Sequence, residues 1–382
     1  MNAPKLRFAE FSEPWKKVEF GDLFAEKTIK TGELGKFPLY SLTVEKGVTP
    51  KSERYTRDFL VKKEDNYKLV DPSDFVSNPM NMTIGALALY QGKKSITVSG
   101  YYNVFTNISD FKDTFIETYL KTSRMINIYR SIATGSLIEK QRVHYSQFIL
   151  LKEFFPSIKE ANKISGFLEL INRRIEQQQE KVEACRAYKK GMMQKLFSRE
   201  LRFKDEDGQE FPEWDERFIE EIADVSTGNK DTQDKVDGGR YPFYVRSNTI
   251  ESIESYSFDG EAILTAGDGA GVGKVFHYVN GEFDFHQRVY KISNFHGCIG
   301  RFLYYYFSEN FLREAMKYNA KTSVDSVRRE MITKMLVPLP SLEEQKKIAK
   351  VLSVIEMKVE KEEMKFDCLM EQKKGLMQQM FI

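Results

Sequence analysis

The chain has 382 residues, of which 41% are hydrophobic and 13% aromatic, enough to bury more than one core. Its formal net charge of +2 excludes a globally basic protein of the histone type, and its three cysteines are too few for a disulfide framework. No segment approaches about 18 consecutive apolar residues, so we expect a soluble, cytoplasmic protein without a membrane span.

Each half of the chain opens on a short segment with the same aromatic pattern. Leu6-Arg7-Phe8 is followed by Pro14-Trp15, and Leu201-Arg202-Phe203 is followed by Pro212 and Trp214. The chain has no other tryptophans. We expect each opening segment to place an aromatic anchor beneath a globular region. The globular region of the first half is called the first head, and that of the second half the second head.

The heads are rich in aromatic and β-branched residues with frequent Gly, Asn and Asp. Strands are predicted at 95–99 and 274–279, the second ending in an Asn280-Gly281 turn. Short helices are predicted at 111–131 and 299–318. Each head is therefore predicted to be α+β. The two heads resemble one another far less than the helices that follow them, which indicates a common task performed on two different targets.

A long helix closes each half, and its sequence is repeated at an offset of 184 residues. Pro156–Ile164 recurs as Pro340–Ile348, and Lys189–Phe197 recurs as Lys373–Phe381. The helix between these motifs is therefore duplicated without a gap. A duplication of this length indicates two similar half-molecules.

Both helices carry an apolar seam with a 3.5-residue repeat, which is typical of coiled-coil pairing. Both seams become polar at the same places, first at Gln178 and Glu362 and then at Lys189 and Lys373. We predict an antiparallel coiled coil with a pseudo-twofold axis and one head at each end of a rod roughly 60 Å long. Two independent amphipathic core helices are the alternative. The residues predicted to pair the helices are Ile164, Leu168, Ile171, Ile175, Val182, Ile348, Leu352, Ile355, Val359 and Phe366.

These elements divide the chain into four predicted segments. The fold class is α+β, with two globular domains joined by two long helices. The segments are 1–155 for the first target-binding domain, 156–198 for the central helix, 199–339 for the second domain and 340–382 for the C-terminal helix.

Several motifs resemble catalytic or metal sites, but each lacks a required residue. The run 267–274 is glycine-rich like a phosphate loop, yet Asp268 replaces its first glycine and Val275 its magnesium-binding Ser or Thr. We expect a turn between two strands there. Asn78-Pro79-Met80-Asn81 lacks the second proline and the aromatic residue of an adenine methyltransferase loop. The spacing of His277, His286, His296 and Cys298 fits no zinc site. We therefore predict a non-enzymatic protein without a metal.

Polar and basic side chains in both heads are candidates for DNA binding, because Arg and Lys neutralise phosphates and Arg, Asn and Gln read base edges. Residues 225–330 contain 13 Lys and Arg against 14 Asp and Glu, so a DNA surface there must be a local patch. For any single residue the alternative is an exposed charge without a role. The candidates are Tyr101, Tyr102, Asn103, Lys121, Arg124, Arg130, Lys140, Arg142, Arg246, Asn248, Lys274, Gln287, Arg288, Lys321 and Arg328.

The repeated helix motifs, the Leu-Arg-Phe…Trp segments and the Gly-Ala-Gly-Val-Gly-Lys-Val run at 269–275 together resemble one family. Over essentially its full length the chain resembles the specificity subunit of a Type I restriction–modification system. The resemblance implies that the heads are target recognition domains, each reading one half of a bipartite, asymmetric sequence in double-stranded DNA. It implies that the helices dock two modification (methyltransferase) subunits, which restriction (translocase/nuclease) subunits join.

The resemblance also implies that S-adenosylmethionine, ATP and Mg belong to the partner subunits and that this chain holds no cofactor. From the residues alone, two other functions stay open. One is a coiled-coil adaptor whose heads bind proteins, and the other is a nuclease or methyltransferase that acts by itself.

Overall fold

A computed structural model describes residues 3–51, 67–135, 141–318 and 326–381. The chain forms two compact units. The first consists of residues 1–178 with 365–382, and the second of residues 179–364. Each unit therefore contains one head, the start of one long helix and the end of the other.

The first unit is built around a four-stranded antiparallel sheet with the order β2-β10-β7-β8. Its strands are β1 (Lys16–Glu19), β2 (Phe24–Glu26), β3 (Lys30–Thr31), β4 (Tyr40–Thr43), β5 (Gly47–Pro50), β6 (Tyr67–Val70), β7 (Asp74–Ser77), β8 (Leu87–Leu89), β9 (Ile96–Ser99), β10 (Asn103–Asn107) and β11 (Lys152–Phe155). Its helices are α1 (Asp113–Leu120), α2 (Ser123–Ile132), α3 (Tyr145–Phe148) and the first half of α4 (Ile158–Phe197). Strand β1 pairs with β11, which places the opening segment beside the residues that lead into α4.

The second unit is built around a six-stranded sheet with the order β13-β18-β16-β17-β14-β15. Its strands are β12 (Asp215–Phe218), β13 (Asp224–Thr227), β14 (Tyr241–Tyr244), β15 (Ile250–Ile253), β16 (Phe258–Ala266), β17 (Phe276–Phe285), β18 (Val289–Ser293) and β19 (Leu336–Leu339). Its helices are α5 (Ile219–Ile222), α6 (Gly300–Met316), α7 (Arg329–Thr333) and the first half of α8 (Leu342–Met380). Strands β12 and β19 pair as β1 and β11 do in the first unit.

Two local predictions differ from the structure. The predicted turn at Asn280-Gly281 is wrong, because β17 continues through it and Gly281 lies opposite Gly260 of β16. Both glycines have positive φ angles, +136° and +141°, which other residues rarely adopt, so the dipeptide marks an irregularity within a strand. The helix predicted at 111–131 is two helices, because Thr122 caps the second by accepting a hydrogen bond from the Met125 backbone N–H (3.3 Å).

The two long helices run antiparallel within each unit. In the second unit, Lys181 lies 3.1 Å from Glu362 and Lys189 lies 2.6 Å from Glu356. Residue numbers therefore decrease along α8 as they increase along α4. In the first unit, the start of α4 and the end of α8 share one buried cluster. The predicted fold class, two α+β heads with two long helices packed antiparallel, is confirmed.

The ten predicted pairing residues face inward. Ile171 and Phe366 are half-buried. The other eight are buried: Ile164, Leu168, Ile175, Val182, Ile348, Leu352, Ile355 and Val359. The residues at the start of each helix also pack into the core of the head beside them, so the seam joins head to helix as well as helix to helix. Their share in the stability of pairing stays a prediction.

One ion pair occurs in both units and ties the opening segment to the first turn of a long helix. The Arg7 Nε lies 2.6 Å from the Glu160 Oε1, and the Arg202 Nη2 lies 3.0 Å from the Glu344 Oε2. Each arginine also donates to the second oxygen of its carboxylate. The two carboxylates are buried, with side-chain exposures of 1% and 0%.

The same first turns are capped by serines. The Ser157 Oγ and the Ser341 Oγ each accept a hydrogen bond (3.3 Å) from the backbone N–H of the glutamate three residues later. In the second unit the Trp214 Nε1 also donates to Glu344, at 3.0 Å. In the second unit the arginine and the tryptophan therefore share the buried Glu344 carboxylate, while the serine caps the backbone N–H of the same residue.

We predict that replacing Glu344 with alanine lowers the free energy of unfolding by about 3 kcal/mol, because the Arg202 guanidinium and the Trp214 N–H lose a buried acceptor. Urea unfolding followed by circular dichroism measures the change. Glu343→Ala, at the exposed neighbouring position, is the matched control and should change it by less than about 0.5 kcal/mol. Equal effects of the two substitutions would contradict the assignment.

Candidate functional site

Three loops of the second head meet at the glycine-rich turn between β16 and β17. The Gly267 N–H donates to the Arg288 carbonyl (2.8 Å), and the Val327 N–H donates to the Gly267 carbonyl (2.7 Å). The segment before α7 and the turn before β18 are thereby joined to the same residue. The structure thus places a turn between two strands at 267–275, as the sequence predicts.

Two arginines converge on Asp268 in this turn. The Arg246 Nη1 lies 2.7 Å from the Asp268 Oδ1, and the Arg288 Nη1 contacts the Asp268 Oδ2. Burial alone would raise the pKa of the Asp268 carboxyl, but the hydrogen bonds from Arg288 and Arg246 outweigh it and hold that pKa below its usual value. The carboxylate is therefore charged at neutral pH and fixes two cations at the edge of the sheet.

The other predicted residues of the second head lie around this turn. The Gln287 Nε2 donates to the Asp231 Oδ2 (2.8 Å), and Asn248 is exposed on the loop that carries Arg246. Lys274 is exposed in the turn itself, and Arg328 is exposed beside Val327. These residues lie on the loops that meet at this turn. Lys321 lies outside the described residues.

His277 and His286 lie near the same edge, where each contacts neighbouring residues of the head. The His277 ring packs against the Tyr244 ring with centroids 5.0 Å apart, and burial lowers the pKa of His277. The buried His286 accepts a hydrogen bond from the Arg288 backbone N–H at Nδ1 (2.9 Å). In the described ranges no group of three or more His, Cys, Asp or Glu side chains is arranged to hold a metal ion.

The candidates of the first head fall into separate groups. Tyr101, Tyr102 and Asn103 lie at the β9–β10 turn, where Tyr101 is 85% exposed. Lys121 and Arg124 lie at the α1–α2 junction, where Lys121 is 3.7 Å from Glu117. The Arg124 Nη2 is 2.8 Å from Glu153, a buried carboxylate, although the angles are not those of a hydrogen bond. Arg124 is therefore tied to the core.

A third group lies beside the loop that includes Pro79. The Arg130 Nε donates to the Thr83 carbonyl (3.0 Å). The exposed Arg142 precedes Val143, whose N–H donates to the Pro79 carbonyl (3.0 Å). Lys140 lies outside the described residues. Contacts among described residues do not join these groups into one surface.

Sequence reasoning missed the acidic residues of the site. It considered cations and amides as DNA ligands, whereas Asp268 and Asp231 are the groups that orient Arg246, Arg288 and Gln287. The Gly-Asp-Gly run at 267–269 was the available signal, since an aspartate between glycines in a tight turn has its carboxylate near backbone and neighbouring loops. None of the helices in the described part of the chain is long and apolar enough to cross a membrane.

Comparisons with known proteins identify one family among the proteins that this chain resembles. Residues 212–365 match the family model of the Type I restriction modification DNA specificity domain. The Type I restriction enzyme EcoDI specificity subunit of Escherichia coli is 30% identical over 148 residues, which are 39% of this chain and 32% of that subunit. The putative type I restriction enzyme MjaX specificity subunit of Methanocaldococcus jannaschii is 24% identical over 411 residues, with 94% of this chain and 91% of that subunit covered.

Two solved structures share the fold. The S subunit of a Type-I restriction-modification system from M. genitalium aligns with a TM-score of 0.61 and 16% identity, covering 100% of this chain and 99% of that one. A chain from a structure of complex assembly and conformational transition of the type I R-M system aligns with a TM-score of 0.57 and 14% identity, covering 96% and 98%. The resemblance predicted from the repeated helices is therefore confirmed: the matched domain at 212–365 and both relatives are those of Type I restriction–modification specificity subunits, and a solved S subunit shares the fold.

Proposed function

We propose that this chain is the DNA sequence-recognition subunit of a Type I restriction–modification complex and reads a bipartite, asymmetric target with one half-site per head. The DNA specificity domain at 212–365 carries the proposal, since it includes the edge where Arg246, Lys274 and Arg288 lie exposed. Exposed guanidinium and ammonium groups on loops of a rigid sheet suit contacts with phosphates and base edges.

The presence of two heads in one chain explains how small groups of basic residues can give tight binding to DNA. Each patch has few cations, so one head alone should bind DNA weakly and with strong salt dependence. Once one head is bound, the linked second head is present at a high effective concentration near its own half-site. Both half-sites are then required for tight binding.

The long helices offer repeated positions for partner subunits. Leu170 of α4 and Val354 of α8 are 184 residues apart, and both are exposed, at 62% and 55%. An exposed apolar residue at equivalent places in two units suits two copies of one partner. We assign these positions to two modification subunits, with restriction subunits joining that core. S-adenosylmethionine, ATP and Mg then belong to those partners, and this chain is non-catalytic, as specificity subunits are in general.

Exchanging residues 30–150 for the corresponding segment of another specificity subunit should change one half-site and leave the other unchanged, because each head reads its DNA alone. Sequencing of methylated adenines in cells that carry the complete system measures both half-sites. The unexchanged system is the control. A change in both half-sites, or in neither, would refute the proposal that the heads are independent readers.

Arg142 and Arg124 should respond differently to replacement by alanine. Arg142→Ala should reduce the slope of log K for duplex DNA against log salt concentration by about 1, with unfolding unchanged, because an exposed cation is lost. Arg124→Ala should instead lower the free energy of unfolding by about 1–2 kcal/mol, because Glu153 is left buried without its partner. Salt titrations and urea unfolding of both variants test this, and identical profiles would count against it.

Leu170→Asp and Val354→Asp should each remove one modification subunit from the purified complex, because a carboxylate is placed in an apolar contact. Native mass spectrometry gives the stoichiometry, and the double variant should retain neither copy. Met364→Asp is the matched control, since Met364 is 72% exposed on α8 but its counterpart 184 residues earlier is Glu180. Retention of both copies by the double variant would exclude these positions as docking sites.

A further inference from the structure

The Arg246–Asp268–Arg288 cluster has a geometry that stability alone does not explain. Asp268 is the inner member, with a side-chain exposure of 16%, while Arg246 and Arg288 are 41% and 62% exposed. The anion thus lies beneath two cations that face outward. Exposed ion pairs of this kind add little to stability, and two guanidinium groups on one carboxylate leave a positive charge.

Each arginine uses one nitrogen to reach Asp268. Both contacts are made by Nη1, and among the described residues neither side chain has another hydrogen bond or ion pair. The Nη2 and Nε donors of two guanidinium groups therefore stay available. Paired N–H donors of this shape match two acceptors side by side, which duplex DNA offers as the O6 and N7 atoms of guanine and as phosphate oxygens.

The backbone around the cluster holds both arginines in place. A Cβ atom at Gly271 would lie 2.4 Å from the Arg246 carbonyl oxygen, and one at Gly267 would lie 2.9 Å from that of Arg288. The glycines thus let the turn pack directly against the backbone of both arginines. The glycine-rich run 267–274, which resembles a phosphate loop in the sequence, therefore helps to position two arginines.

We propose that Asp268 is a positioning residue for DNA recognition, whose carboxylate holds Arg246 and Arg288 as preset donors for adjacent acceptors of the second half-site. The inference rests on the proposed function. Preset donors lose less side-chain freedom on binding than mobile ones, so the correct sequence is favoured at the positions these two arginines reach. The acceptors are guanine edges or phosphates, and the same experiment distinguishes them.

The test uses the full-length chain assembled with its modification subunits and a pool of randomised duplex DNA. Asp268→Asn removes the charge and keeps the shape. If guanine edges are read, the preference of this variant for guanine should fall about tenfold at one or two positions of the half-site read by the second head. That half-site is the one that the exchange of residues 30–150 leaves unchanged. If phosphates are bound, the motif should persist and affinity should fall several-fold for every sequence.

Two further variants separate positioning from folding. Asp268→Glu keeps the charge but moves it by one methylene, and should give the same change as Asp268→Asn. Adding Asp268→Asn to Arg246→Ala/Arg288→Ala should change little further, because the carboxylate acts through the two side chains. Asp237→Asn, an exposed aspartate 3.5 Å from Lys235 in the same head, is the matched control and should leave the motif unchanged.

The outcomes are distinct. An unchanged motif and unchanged affinity in both Asp268 variants would overturn the positioning role while leaving the proposed function in place. A wild-type complex that selects no motif would overturn both. A relaxed half-site in Asp237→Asn as large as that in Asp268→Asn would show a general effect of charge and would also refute the proposal.

Discussion

The buried Arg–Glu pair at the start of each long helix is the interaction on which the rest of each unit depends. It joins the opening segment to the first turn of the helix, which are distant in sequence. The neighbouring strand pairs β1–β11 and β12–β19 bring the same parts of the chain together. A buried carboxylate without its arginine is costly, so the pair strongly favours one placement of the helix relative to the strands. The aromatic anchor makes different contacts in the two units. Trp15 contacts Phe381 with centroids 6.4 Å apart, and Trp214 donates to Glu344.

The strand pair and the start of the long helix are alike in the two units, whereas the heads differ. The core of the first head is a cluster of phenylalanine rings, with Phe75 and Phe105 stacked at 5.4 Å. The core of the second head is centred on α6, whose Phe302, Phe307 and Phe311 are fully buried. Because the Arg–Glu pair and the serine cap hold the first turn of each long helix, the strands and loops farther from that turn can differ between the heads. The opening segments and helices therefore repeat along the chain while the heads do not, which suits the proposed reading of one half-site by each head.

The sequence predicts the long helices well because their signal is local and long. The predicted central segment 156–198 contains the observed Ile158–Phe197. The 3.5-residue seam predicts that the two helices pair, and the repeat of two similar halves predicts that they run antiparallel. The Arg–Glu pair could not be read in this way. Arg7 and Glu160 lie in two repeated motifs, but nothing local indicates that motifs 153 residues apart meet. The same applies to Asp268, whose role depends on Arg246 and Arg288, each about 20 residues away. The Asn280-Gly281 prediction failed because strand pairing overrides a turn preference when a second glycine lies opposite.

The polar positions in the helix seams are equivalent by sequence but not by environment. Lys189 is paired with Glu356, and the Tyr305 hydroxyl donates to the same carboxylate at 2.7 Å. The residue 184 positions before Glu356 is Asn172, so Lys373, the counterpart of Lys189, has no glutamate at the matching place. Burial, with a smaller contribution from Lys121, lowers the pKa of Lys373. A slip of one heptad would separate Lys189 from Glu356 in the second unit. The Lys189–Glu356 pair therefore favours one helix register in the second unit, and in the first unit Met380 and Phe381 pack into the core of the head.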